Sequence, residues 1–348
     1  MPADAPLQTA AARAAQARAL ADARLRGSID DLLLADDARL DERTRVMLSR
    51  LLHETIAAIE TELRRQAARL LAARGGVTAA EALLSESLAA GRLMAAGLLR
   101  DEALIEALVA RVRHDLIASA LPAGSRDATT GSDEASLLVR LAAVPDRVVA
   151  SAARALLVAD SRGGVILAAE VQHRLVWWVA AAIRPALDDP DTDRAIAEAA
   201  VRSLGAHDEG EGGDAVAMRL AAAIDARPDE LAPLLLEALS DRRLSLFVAV
   251  LAQAIGLDFE QAQALVLEPD GERLWLALRA AQLDRPTIAR IALALSDADP
   301  RRDIEAFADD LDRIARVDPA DARLALAPET LGRDFRVAIR ALARTGRA

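Results

Sequence analysis

The sequence predicts an all-α protein: an irregular α-solenoid of HEAT-like helix pairs with an N-terminal helical section. Three observations predict it. Hydrophobic residues make up 53% of the chain, yet aromatics are only 2% and much of the apolar content is Ala and Leu. That composition suits closely packed helices, since strands draw on Val, Ile, Tyr, Phe and Thr. Apolar residues recur at steps of three and four, and no stretch alternates with period two. Beyond about residue 135, short apolar helices alternate with turns containing Asp, Pro and Gly. Helix pairs at roughly 35- to 45-residue spacing are the mark of an α-solenoid, where each pair buries its face by stacking on its neighbours.

The elements follow in order. Residues 1–27 are rich in Ala, Gln and Arg with few large apolar side chains, and read as a mobile arm. Residues 28–121 form the N-terminal helical subdomain. A short helix at 28–36 precedes the longest helical pattern of the chain, 40–71. There Leu48, Leu52, Ile56, Ile59, Leu63, Ala67 and Leu70 make one apolar stripe. Asp41 caps its start and Gly75-Gly76 end it. Glu60 and Arg64, four apart with the acid first, are expected on an exposed face. Thr78 and Glu81 read as a capping box for the next helix. Residues 100–121 carry Leu104, Ile105, Leu108, Val112, Leu116 and Ile117 on one face, and Pro122 stops the helix. The polar, small-residue stretch 122–134 is the predicted linker. Residues 135–348 then form the helical-repeat domain.

Composition removes several function classes. All 43 cations are Arg; Lys, Asn, Tyr and Cys are absent. Codon usage in a GC-rich genome explains that bias. A net charge of −11 argues against nucleic acid as a partner. Without Cys there is no disulfide, thiolate chemistry or Cys-ligated zinc, which fits a cytoplasmic setting. Arg13, Arg18, Arg24 and Arg26 interrupt any secretory apolar run. The longest apolar run, Leu175 to Ile183, is about half of a membrane span, so no span is expected. Without Lys a phosphate-binding Walker loop is impossible.

The candidate chemistry is sparse. His53-Glu54 on the long helix is a His followed by an acid, the pairing seen at the phosphoacceptor site of histidine-kinase dimerisation helices. Here it lacks the Arg-Thr-Pro that follows in those kinases. His53, His114, His173 and His207 lie too far apart in sequence for a helical zinc site, and no metal or cofactor is expected. Asp188, Asp189, Asp191 and Asp193 around Pro190 read as helix capping, since the glycine and bidentate Glu of a calcium loop are missing. Trp177 and Trp178 point about 100° apart on a helix, so one packs inward and the other lies at a margin or on a helix-helix seam; core or seam is the expected role, and partner binding the alternative, since Trp is enriched at binding hot spots. Trp275 reads as core.

Three stretches carry a family resemblance: DERTRVMLSRLLHETIAAIETELRRQAARLLA from Asp41, LVRLAAVPDRVVASAARALLVAD from Leu138, and GLDFEQAQALVLEPDGERLWLALRAAQLDRPTIARI from Gly256. Together they resemble the bacterial helical family called domain of unknown function 2336. The resemblance implies an all-α, HEAT-like fold with no known enzyme activity, and supplies no functional residues. The expected function is a non-catalytic helical scaffold or regulator that binds a protein partner, with the 40–71 stripe offering a homodimer surface. The alternative is a histidine phosphotransfer or dimerisation module using His53.

Overall fold

The computed structural model describes residues 39–85, 89–122, 135–162, 164–184 and 189–332, together with 335, 338, 339 and 342. The expected arm at 1–27, the short helix at 28–36, all but the first residue of the linker, and Asp188 lie outside these. The chain divides into two compact units, Met1–Val46 and Met47–Ala348. All that follows concerns the second, apart from the start of the first helix.

The described residues are helical and contain no strand. Helix α1 spans Glu42–Ala73, α2 Val77–Ser85, α3 Ala89–Ala95 and α4 Glu102–Ala120. Then come α5 Leu137–Leu141, α6 Arg147–Arg162, α7 Ala169–Ala182 and α8 Pro190–Gly205. The remainder are α9 Gly213–Ile224, α10 Pro228–Ser240, α11 Leu244–Ile255, α12 Phe259–Leu267, α13 Glu272–Ala280, α14 Arg285–Ala298, α15 Ile304–Ala315 and α16 Pro319–Leu326.

Aspartate begins half of these helices for one reason: its carboxylate accepts the backbone N–H groups that a first turn leaves unpaired. Asp41 takes the Thr44 N–H at 2.8 Å, Asp101 that of Leu104 at 2.9 Å, and Asp284 that of Thr287 at 2.9 Å. Asp258 and Gln261 make a reciprocal capping box on α12. Asp189 caps α8 and Pro190 occupies its first turn. The capping box expected at Thr78 is displaced, since α2 already begins at Val77.

Two apolar cores hold the elements, and they do not follow chain order. One gathers Ile56, Leu63 and Leu71 of α1, Leu83 of α2, Leu93 of α3 and Leu104 and Leu108 of α4 with Leu175, Val179, Ile196 and Ala199 of α7 and α8. The other gathers the end of α4, α5, α6 and α9 to α16. Arg74–Glu198 (2.7 Å) and Arg174–Asp101 (3.0 Å) join helices from the two sides of residues 122–134. Helix α11 is the centre of the second core. Leu244, Leu246, Phe247, Val248, Ala249, Val250, Leu251 and Ala252 are all buried, and α4, α9, α10, α12 and α13 touch it. A helix apolar on every side must be enclosed in this way. Among the described residues no single helix is long and apolar enough to cross a membrane; the apolar pair α11 and α12 turns through 114° between its halves.

One expectation on α1 is overturned. Glu60 and Arg64 are buried, not exposed: both lie within 8% of full burial and pair at 2.8 Å. Arg64 also donates to the Leu83 carbonyl of α2. The i, i+4 order stands, but the pair sits between helices, where its hydrogen bonds offset the loss of water.

Candidate functional site

The predicted residues do not assemble into a site. His53 is exposed on α1. Its Nδ1 donates to the Ser49 carbonyl at 2.7 Å, which leaves the lone pair on Nε2 directed outward. Glu54, also exposed, pairs with Arg50 at 2.7 Å and not with His53. Trp177 and Trp178 on α7 are both half-buried against the first core. The Trp177 indole donates to His173 Nε2 at 3.2 Å. Among the described residues no group of three or more potential ligands is placed to hold a metal.

The structure instead forms a cleft of about 720 Å³ between α4, α6, α9, α11 and α12. At its wall His114 of α4 is 5% exposed. Gln263 of α12 donates to His114 Nδ1 at 3.2 Å, so the ring proton sits on Nε2, 3.0 Å from Ser245 Oγ in the first turn of α11. Burial first, and then the Arg111 guanidinium, push the His114 pKa down to about 3. The imidazole is therefore neutral and a weak base. A Ser-His-Gln line in this state does not activate Ser245 as a nucleophile, because His114 gives its proton toward the hydroxyl and has little affinity for another.

Charge fills the rest of the cleft. Arg243 reaches Asp160 at 2.8 Å, and Arg111 reaches Asp115 at 2.9 Å. Burial drives the Asp160 carboxyl above its ordinary value, against the pull of Arg243. Asp214, in the first turn of α9, has no hydrogen-bond or ion-pair partner among the described residues. The residue is exposed at the cleft, yet the protein packed around its carboxyl desolvates it; this raises its pKa to about 6, against the pull of the nearby Arg111 guanidinium and with Glu260 and Asp115 adding to the rise. Nine acidic residues and four arginines line the cleft. It is a net acidic recess with one carboxylate held unpaired.

Sequence reasoning missed this site. The only signal was His114 on a helix whose inner face is otherwise apolar; Ser245 and Gln263 lie more than 130 residues further on.

Comparison with known proteins agrees with the resemblance in part of the chain. Residues 165–327 match the family described as an uncharacterised protein conserved in bacteria, domain of unknown function 2336. No curated protein and no solved structure matches the chain. Of the three stretches quoted above, only that from Gly256 falls inside the matched region. The cleft straddles its edge: Asp214, Arg243, Ser245 and Gln263 lie within, His114, Arg111 and Asp160 before. Over residues 165–327, a little under half of its length, the chain is thus similar to the bacterial family called domain of unknown function 2336.

Proposed function

We propose that the protein is a non-catalytic helical scaffold or regulator in the cytoplasm that receives a basic segment of a protein partner in the cleft between α4, α9 and α12. The observation that carries this is Asp214: an unpaired carboxylate in a net acidic recess of about 720 Å³. A guanidinium or ammonium entering there gains a charge-assisted hydrogen bond without breaking an existing pair. The weak basicity of His114 weighs against acid–base catalysis at the same place. Successive pairs such as α7–α8, α10–α11 and α14–α15 support the HEAT-like reading. The contacts of α4 with α12 and α14 make the stack irregular. A homodimer through residues 40–71 would use the outer residues of α1, because Ile56, Leu63, Ala67 and Leu71 are covered by the chain itself.

The test is affinity capture from native lysate with the wild type and with Asp214→Arg and Trp178→Ala. A specific protein lost with Asp214→Arg supports the cleft; one lost only with Trp178→Ala moves the working face to α7. A blank from the folded wild type counts against the scaffold. A second reading, phosphotransfer at His53, is favoured by its exposure and outward Nε2. Phosphoryl label that survives His53→Ala removes it.

A further inference from the structure

The line from Gln263 through His114 to Ser245 is polar where packing alone would be apolar. His114 and Gln263 are both buried, and burying such groups is costly unless their hydrogen bonds are made. Chemistry fixes the direction of the line. An amide nitrogen can only donate, so Gln263 Nε2 gives a proton to His114 Nδ1 at 3.2 Å. The neutral ring then carries its own proton on Nε2 and gives it to Ser245 Oγ at 3.0 Å. A hydroxyl that accepts in this way keeps one proton to donate. Ser245 is half-buried and lines the cleft, and its hydroxyl meets no acceptor among the described residues. The line therefore presents a donor to the cleft, polarised by the bonds behind it. Helix α11, 12 residues long, adds to this: it starts at Arg243 with no side-chain cap, so its first-turn N–H groups give that end a partial positive charge.

The group that meets Ser245 is thus a hydrogen-bond acceptor, and a neutral one. Nine acidic residues outnumber four arginines around the cleft, and Arg111 and Arg243 are already paired with Asp115 and Asp160. A carboxylate or phosphate would be repelled there. A carbonyl oxygen is the neutral acceptor that every peptide link carries. We infer that Ser245 is a specificity-determining residue, whose hydroxyl donates to a main-chain carbonyl of the partner segment beside the basic side chain received at Asp214. This rests on the reading of the cleft as the receiver of a basic segment. Asp214 and Ser245 stand in the first turns of α9 and α11, which pack directly against each other. Asp214 selects for positive charge. Ser245 selects for polypeptide, against a cation such as a polyamine that has no acceptor to offer.

A double-mutant cycle between protein and ligand tests this. One probe is a fluorescent peptide of alternating Arg and Ala. The other is the same peptide with each arginine carbonyl replaced by a thiocarbonyl, a weaker acceptor of unchanged charge. Both are titrated into the full chain by anisotropy, for the wild type and for Ser245→Ala. The wild type should bind the oxygen peptide about fivefold more tightly than the sulfur one. Ser245→Ala should bind the two equally, with unchanged helicity in circular dichroism. A Ser245 that only supports the fold would leave the preference in place, and a preference that survives Ser245→Ala overturns the inference. So does a wild type that binds both peptides equally, which leaves the reading of the cleft standing. Complete loss of both peptides by Ser245→Ala also overturns it, since one hydrogen bond cannot account for that. A wild type that binds neither peptide removes the reading of the cleft, and this inference with it.

Discussion

His114 and Asp214 impose opposite pH dependences on the same cleft. The His114 pKa falls from an ordinary 6.5 to about 3 in the fold, so the unfolded chain binds the extra proton. Its contribution to stability is full above pH 6.5 and is lost as pH falls, by about 1.4 kcal/mol per pH unit. Asp214 moves the other way, from 3.8 up to about 6. The folded chain keeps its proton longer, so this contribution is full below pH 3.8 and is lost as pH rises through 6. Urea unfolding from pH 7 to 4 should show His114→Leu losing the steep acid side. The same variant costs about 1–3 kcal/mol at pH 7, because Ser245 and Gln263 lose their partner. Asp214→Asn should stabilise the protein at pH 7 and change little at pH 4. Glu60 and Arg64 give a further residue-scale expectation. Glu60→Ala leaves a buried guanidinium unpaired and should cost about 3–5 kcal/mol, while Glu60→Met/Arg64→Leu should cost less than that single change. The sequence displayed the spacing of this pair but not its burial, since i, i+4 order is the same on either face of a helix.

Most element boundaries were legible because their chemistry is local. Aspartate caps and the terminating glycines Gly75 and Gly256, both at positive φ, need only a few neighbouring residues. The exceptions are helix ends where a side chain occupies the left-handed position: Asp225, Arg242 and Gln282 have φ of 45°, 58° and 63°. Glycine is the residue that takes such a conformation without strain. Gln282→Gly should therefore stabilise the end of α13 by about 0.5–1 kcal/mol, read as a higher urea midpoint. Arg242→Gly should gain nothing, because the guanidinium Nε donates to the Leu121 carbonyl at 2.8 Å and ties α10 to the end of α4. At Gly271 the same logic runs in reverse. Its φ is 69° and an added Cβ would lie 2.7 Å from the Trp275 ring. Gly271→Ala should destabilise by about 1–3 kcal/mol.

For the whole molecule, the helical class was legible from composition and periodicity, but the partition of helices between cores was not. Nothing in α7 or α8 marks them as partners of α1 and α3; Arg74–Glu198 spans 124 positions and Arg92 donates across 90 to the Ala182 carbonyl. The family resemblance suggested three stretches, and the match covers only the last. The cleft shared this fate, since it needs α4 and α6 from before the matched region and α9, α11 and α12 from within it. Its proposed role, taking a basic segment, makes one direct demand. A fluorescent peptide of alternating Arg and Ala should be titrated into the folded chain by anisotropy between pH 5 and 7.5, alongside Asp214→Asn and the exposed control Asp309→Asn. The account predicts that wild-type affinity rises as Asp214 ionises near pH 6 and that Asp214→Asn flattens the rise. At pH 7 this variant should bind about tenfold more weakly, with Asp309→Asn unchanged. Equal binding by all three proteins, with no pH dependence, would contradict it.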